Sequence, residues 1–138
     1  MKVKQISVFL ENTTGRLAEV TRVLGTGNIN LRAISIADTA DFGILRLIVD
    51  TPEKTMELLK KAGFTAKITE VIGVLVNDKP GGLMKIMDIF NKEGVNIEYL
   101  YSSLINEEGD AVIIFRVEDI DHGLGIVEKA GLKAISAF

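Results

Sequence analysis

Leu10-Glu11-Asn12-Thr13-Thr14-Gly15-Arg16-Leu17 returns later in the chain as Val76-Asn77-Asp78-Lys79-Pro80-Gly81-Gly82-Leu83, a shift of 66 residues (81 − 15). The same shift carries Gly27-Asn28-Ile29-Asn30-Leu31 onto Glu93-Gly94-Val95-Asn96-Ile97. Lys61-Ala62-Gly63-Phe64 returns as Lys129-Ala130-Gly131-Leu132 at a shift of 68. Two copies of one small unit, residues 1–70 and 71–138, therefore fill the chain and leave no separate catalytic domain. A unit of about 65–70 residues lies near the lower limit for a self-sufficient core, so the copies are expected to support each other. No Gly-, Ser- or Pro-rich linker parts them; Thr65-Ala66-Lys67-Ile68-Thr69-Glu70 runs straight into Val71-Ile72-Gly73-Val74-Leu75-Val76.

On the N-terminal side of each loop the residues alternate. Ile6, Val8 and Leu10 share one face, as do Ile72, Val74 and Val76, which is the period of a strand. On the C-terminal side the period lengthens. Leu17, Val20 and Leu24, matched by Leu83, Ile86, Met87 and Phe90, have the spacing of an amphipathic helix, with Gly25/Gly27 and Gly94 as its C-terminal glycine caps. A second strand is expected over Asn30–Ala37 and Ile97–Leu104. It turns through Asp38-Thr39-Ala40-Asp41, or Asn106-Glu107-Glu108-Gly109-Asp110, into a third at Gly43–Val49 or Ala111–Val117. Pro52-Glu53 opens a short helix that turns Met56 and Leu59 inward, as Leu124, Val127 and Ala130 are turned in the second copy. A last strand, Thr65–Glu70 or Lys133–Phe138, completes the order βαββαβ.

That order predicts an α+β fold of two ferredoxin-like units, each an antiparallel four-stranded sheet with two helices on one face. The other face of each sheet is then bare. Yet Ala111-Val112-Ile113-Ile114-Phe115 is a continuous apolar run, and Phe9, Leu75, Leu45 and Leu47 place apolar groups on both sides. A sheet apolar on both faces needs two covers, so the bare faces or edges are expected to be buried by the sister unit, a second chain, or both.

Composition narrows the function. With 138 residues, 47% hydrophobic and 25% charged, the chain has ample material for a globular core. It has no Cys, which excludes disulfides, thiolate chemistry and Cys-based metal sites. No apolar run reaches the roughly 20 residues of a membrane-spanning helix, and Met1-Lys2-Val3-Lys4 leads into a strand pattern; a cytoplasmic protein without membrane contact is expected. The net charge of −3 argues against nucleic acid as a partner. Residues 1–70 hold ten Lys/Arg against eight Asp/Glu, and residues 71–138 hold six against eleven. This asymmetry fits either drift on solvated faces or attraction between halves.

Catalytic groups are few. His122, the single histidine, falls in an expected surface turn, Asp121-His122-Gly123; Asp119 and Asp121 lie nearby, but no other soft ligand joins them in a metal site. The Ser and Thr residues lack a base to activate them, and Glu107/Glu108 reads as a solvated hairpin tip. No catalytic residue, metal or cofactor is expected.

The loop Asp78-Lys79-Pro80-Gly81-Gly82-Leu83 offers different chemistry. Pro80 fixes φ ahead of the turn, and Gly81 and Gly82 remove bulk where the backbone enters the helix. The first amides of that helix lack intrahelical acceptors and lie at the positive end of its dipole, where a carboxylate or phosphate can bind. Asp78 could meet an ammonium group, and the two together complement a zwitterionic amino acid. Equally, Asp78 could cap the helix and the glycines could serve the turn alone.

This loop, followed by Phe90-Asn91-Lys92-Glu93-Gly94-Val95-Asn96-Ile97, resembles the ACT domain signature Asp-x-Pro-Gly-x-Leu, a helix, then Gly-(Ile/Val)-Asn-Ile at the second strand. The resemblance spans nearly the whole chain as a tandem pair. In the first copy Asn12 and Thr14 replace the Asp and Pro, while Gly15, Leu17, Ile29 and Asn30 are kept. The resemblance implies a regulatory, allosteric protein that senses a free amino acid, forms a homo-oligomer such as a dimer, and controls an amino-acid biosynthetic enzyme. It also implies a ligand held between a strand-to-helix loop and the second strand of a neighbouring domain. On this chain that nominates Asn12, Thr13, Thr14, Gly15, Arg16 and Leu17 facing Asn96 and Ile97. It likewise nominates Asp78, Lys79, Pro80, Gly81, Gly82 and Leu83 facing Asn30 and Leu31. Each second-strand Asn suits either a ligand contact or the hold on its own turn. Arg16 suits either a forked contact to a ligand carboxylate or a solvated place at the helix start.

Other uses of the same plait fit less well. A metal chaperone needs a Cys pair, and an RNA-binding sheet needs aromatic residues in a basic field, whereas the third strands hold one aromatic, Phe115. An acylphosphatase-like enzyme needs an Arg-bearing phosphate loop, which Asp-Lys-Pro-Gly-Gly does not supply. The remaining alternative is an interaction module without a ligand of its own, resembling the small subunit of acetolactate synthase but lacking its C-terminal region.

Overall fold

A computed structural model describes residues 2–38, 41–107 and 109–136. The elements run β1 (Val3–Glu11), α1 (Arg16–Thr26), β2 (Leu31–Asp38), β3 (Phe42–Val49), α2 (Pro52–Lys61), β4 (Thr65–Asn77), α3 (Gly82–Lys92), β5 (Ile97–Glu107), β6 (Asp110–Val117), α4 (Ile120–Lys129) and β7 (Ala134–Ile135). This is the expected α+β order, met twice. The chain divides into two compact units, Lys4–Thr69 and Glu70–Phe138 with Met1–Val3. The last strand of the first copy and the first strand of the second are one element, β4, because no proline or turn sequence interrupts residues 65–77.

In the first unit β3 lies between β1 and β2, antiparallel to both, with Ile6 opposite Leu47, Glu11 opposite Phe42, and Ile34 opposite Leu47. β1 has a further pairing with β4, whose residues 65–69 belong to this unit. Strand alternation turns Ile6, Val8 and Leu10 inward against Val20 and Leu24 of α1 and Leu59 of α2. Leu45 and Leu47 join this core, while Phe9 on the opposite face of β1 is 44% exposed. In the second unit β6 lies between β5 and β4, and β4 also pairs with β7. Its core sets Ile72, Val74 and Val76 against Ile86, Phe90, Phe115 and Val127, with the Phe90 and Phe115 rings tilted at 5.6 Å between centroids.

Several expectations need correction. Leu17 and Leu83 are 42% and 38% exposed; the first buried side chains of α1 and α3 come a turn later, at Val20 and Ile86. In α2 Met56 and Leu59 do face the core, Met56 half-buried, but Thr55 is fully buried beside them, its hydroxyl donating to the Thr51 carbonyl at 2.8 Å and so entering the core satisfied. In α4 Ile126 is buried with Leu124 and Val127, and Ala130 is exposed.

Gly27 is the C-cap of α1 as expected, its amide donating to the Gly25 and Val23 carbonyls, but the left-handed turn after it is not made by glycine. Gly25 lies inside α1 and Gly27 has φ −78°; the left-handed residue is Asn28 (φ 58°), at the place of Gly94 (φ 71°). Asn is the side chain best suited to replace Gly there. Gly27 also permits close approach, since a Cβ on it would stand 2.4 Å from Leu58 Cδ1. His122 is exposed as expected but sits in the first turn of α4, not in a turn between elements, and its amide donates to Asp119 Oδ1 at 3.1 Å. β3 takes in Phe42, so the third strands carry two aromatics. Thr39 and Ala40 of the first hairpin turn, Glu108 of the second and the end of the expected strand at 133–138 lie outside the described residues; β7 itself covers Ala134–Ile135.

Surface ion pairs mark both units. Lys2 Nζ stands 3.0 Å from Asp121 Oδ1 and 3.6 Å from Glu70 Oε2. Lys4 pairs with Glu53, and this hydrogen bond, with one from the backbone, holds the Glu53 carboxyl below its ordinary value of 4.5. A carboxylate depressed in the folded state stabilises that state above its ordinary pKa and loses the contribution as pH falls through the lowered value. Glu53→Gln is therefore expected to lower the melting temperature near pH 7 slightly, since the pair is exposed, and to flatten its decline below about pH 4.5 by the same small amount. Melting curves across that range check this; a steeper decline in the variant contradicts it.

Candidate functional site

The strand-to-helix loops are twins in their backbone. In the first, the amide of Asn12 donates to the Asp41 carbonyl at 2.9 Å, Thr13 to Glu11 at 2.8 Å, Arg16 to Thr13 at 3.4 Å and Glu19 to Gly15 at 3.0 Å. In the second, Asp78 donates to Gly109 at 3.0 Å, Lys79 to Asn77 at 2.9 Å, Gly82 to Lys79 at 3.0 Å and Lys85 to Gly81 at 3.2 Å. Gly15 (φ 91°) and Gly81 (φ 86°) hold the same left-handed position before the helix. The two glycines of the second loop thus divide the work. Gly81 supplies the conformation, and Gly82 supplies space, since a Cβ on it would lie 2.1 Å from the Asn77 carbonyl oxygen.

Neither α1 nor α3 has a side-chain cap; the N-cap positions are the glycines themselves. Asp78, exposed at the start of its loop, is therefore not the cap of α3. The amides of Leu17 and Ala18, and of Leu83 and Met84, make no backbone hydrogen bond among the described residues. Thr13, Thr14, Lys79 and Pro80 are exposed around them.

Arg16 stays partly exposed at the helix start, with 28% of its side chain accessible, but its guanidinium is engaged. Its Nη1 donates to Glu19 Oε2 at 2.8 Å, and its guanidinium carbon lies 4.6 Å from the centroid of the Phe64 ring. Ion pair and ring contact together hold the side chain over its own helix.

The second-strand residues sit elsewhere in each unit. Glu11, which leads into the first loop, lies opposite Phe42, whereas Leu31 lies opposite Val49. Seven residues of β3 (49 − 42) separate these ends, or about 23 Å at strand spacing. Asn30 and Leu31 are thus far from the loop of their own unit. Asn96 and Ile97 occupy the matching place, Ile97 opposite Val117 while Asn77 lies opposite Asp110. In both copies the second strand opens with a register shift, between Leu31 and Ala33 and between Ile97 and Tyr99. Its turn is held by the main chain of the Asn: Asp50 donates to the Asn30 carbonyl and Glu118 to that of Asn96, each at 3.4 Å, and the Asn30 amide reaches Asp50 Oδ1 at 3.3 Å.

Two surface hollows escaped the sequence reading. Phe9, Ala37, Phe42 and Ile44 line an apolar hollow of about 440 Å³ at the loop end of the first unit's sheet. Another of about 490 Å³ lies between α1 and α2. The exposed face of the first was signalled by Phe9; the second depends on how two helices pack and had no motif to mark it. Among the described residues no three His, Cys, Asp or Glu gather as metal ligands, and no helix is long and apolar enough to cross a membrane.

Comparison with known proteins agrees with this architecture. The crystal structure of protein BT0572 from Bacteroides thetaiotaomicron is 42% identical, superposes with a TM-score of 0.93, and is matched over 99% of this chain and 94% of its own. The ligand-free regulatory subunit of aspartate kinase from Thermus thermophilus shares the fold at 20% identity, with a TM-score of 0.65 over 92% of this chain and 91% of that one. The corresponding subunit from Thermus flavus does so at 18% identity, with a TM-score of 0.60 over 93% and 92%. No curated protein matches the chain. The family described as the ACT domain pair matches residues 1–136, and the chain belongs to that family.

Proposed function

We propose that this ACT domain pair is a non-catalytic regulatory protein that binds a free amino acid, with the loop from Asp78 to Leu83 as its principal site. The observation that carries this reading is the freedom of Asp78 from any capping role in a loop whose helix begins with two unengaged amides, Leu83 and Met84. A carboxylate for an ammonium group and amides for a carboxylate are the two halves of amino-acid recognition. Lys79, Pro80, Gly81 and Gly82 shape this site. Asn12, Thr13, Thr14, Gly15, Arg16 and Leu17 form a weaker version, because Asn12 brings no charge and Arg16 is engaged by Glu19 and Phe64.

The main-chain hold on the second-strand turn leaves the side chains of Asn30 and Asn96 to other work, and with Leu31 and Ile97 we assign them to the ligand site of a second copy of the chain. A homo-oligomer, a dimer in its simplest form, also accounts for the exposed apolar groups Phe9, Phe42 and Ile36. Binding then changes the balance between assembly states, and through it an amino-acid biosynthetic enzyme in the cytoplasm. That enzyme partner is favoured by the fold shared with aspartate kinase regulatory subunits.

Thermal unfolding of the purified protein against each free amino acid at millimolar concentration tests this reading. A ligand at about 100 times its Kd stabilises the folded state by about 2.7 kcal/mol, a shift of several degrees. One or two amino acids are expected to give such a shift. No shift with any of them overturns the sensor reading in favour of an interaction module that meets its enzyme without a ligand.

A further inference from the structure

We infer that the groove between α1 and α2 of the first unit is a separate binding site for a small apolar carboxylate. Its floor is apolar: Val23, Leu58, Ala62 and Phe64 line a space of about 490 Å³, within the range of small-molecule sites. Its rim is charged, with Glu19 and Arg22. Glu19 is engaged by Arg16, whose guanidinium rests on Phe64, while Arg22 is exposed and has no ionic partner among the described residues. The Nε of Arg16 is also enclosed without a hydrogen-bond partner among those residues. The rim thus carries one carboxylate already engaged by Arg16 and one guanidinium, that of Arg22, without an ionic partner among the described residues. The missing complement is a second carboxylate attached to a hydrocarbon body, with Arg22 taking the acid and the Phe64 floor taking the body.

The second copy provides an internal contrast. Its corresponding groove, lined by Ile89, Ile126 and Ala130 with Lys92, Glu93 and Lys129, measures about 220 Å³. There Lys92 and Glu93 replace Thr26 and Gly27, and Asp88 stands in the place of Arg22. The larger volume is therefore a feature of the first unit, and the cations of the second groove, Lys92 and Lys129, stand at other positions than that of Arg22. The site is distinct from the amino-acid loops, because it offers no group arranged for an ammonium.

The test uses 3-phenylpropanoate, which has no amino group and so lacks half of what the loops would recognise. Titrated into the intact protein and followed by amide NMR, it is expected to shift Val23, Gly27 and Phe64 saturably with a Kd of about 1 mM or tighter, and to leave Ile89 and Ala130 in place. The neutral 3-phenylpropanamide and the Arg22→Gln variant are each expected to weaken binding about tenfold. Ala62→Leu, at an exposed position, is expected to fill the groove and abolish it. Shifts confined to residues 12–17 or 78–83, equal binding of acid and amide, or full affinity in Arg22→Gln each overturn the assignment. Unaltered amide spectra outside the groove show that either variant is folded.

Discussion

Replacing Gly82 by valine is expected to destabilise the protein by about 3 kcal/mol and to lower its melting temperature by roughly 10 °C. The reason is local and geometric. A Cβ at this position would lie 2.1 Å from the Asn77 carbonyl oxygen, 3.2 Å from its carbon and 3.5 Å from Val76 Cγ1. The obstacle is backbone, so no rotamer change relieves it. Asn77 is held in place as the last residue of β4, opposite Asp110, and its carbonyl accepts the Lys79 amide at 2.9 Å. Relief must come from moving the start of α3 off the sheet, which opens the core at Ile86. Gly81→Ala provides the control. Its Cβ would meet only Met84 Cε at 3.8 Å, so its cost is that of a left-handed alanine, about 1–2 kcal/mol. Equal melting temperatures for the two variants would show that the start of α3 is slack and that Gly82 is not a packing residue.

Asp78→Ala is expected to weaken amino-acid binding by about 10- to 100-fold, and Asn12→Ala by less than about threefold. The loops share their backbone bonds, so the comparison isolates one side chain on a common frame. Asp78 brings a full charge to an ammonium group, whereas Asn12 brings only an amide dipole. Because Asp78 is exposed and caps nothing, its replacement leaves the fold intact, and a lost affinity reports recognition and not unfolding. Asp78→Asn separates charge from shape and is expected to lose nearly as much as the alanine variant. Calorimetric titration with the amino acid found by thermal shift supplies all three values. Equal losses at Asp78 and Asn12 refute the ammonium role of Asp78.

Much of the fold was legible because the chain states its pattern twice. A shared offset separates signal from chance, and the alternation at Ile6-Val8-Leu10 and Ile72-Val74-Val76 marks the same core face in both copies. What was not legible depends on distances that a pattern does not hold. Leu17 and Leu83 have helical spacing but are exposed, the buried face starting at Val20 and Ile86. Gly81 and Gly82 are adjacent glycines with different duties, and only the position of the Asn77 carbonyl tells them apart. Gly27 caps α1 and is also a point of contact with Leu58 of α2, while Asn28 takes the left-handed turn. For the candidate site, sequence located the loops and left Asp78 with two roles; the glycine N-cap removed one of them. The stacking of Arg16 on Phe64 joins residues 48 positions apart (64 − 16), beyond any local motif.

The loop frame has a consequence for how such a pair evolves. Among the described residues, four hydrogen bonds of each loop run from main chain to main chain, and these are indifferent to most side chains at 12–14 and 78–80. After a duplication, mutation can strip one loop of its charge without a penalty in folding, and selection then acts on those side chains only through whatever they bind. If the second loop binds as proposed above, Asn-Thr-Thr in place of Asp-x-Pro is the trace expected of a copy relieved of that duty. The same neutrality leaves the relieved copy able to acquire new chemistry on another of its faces.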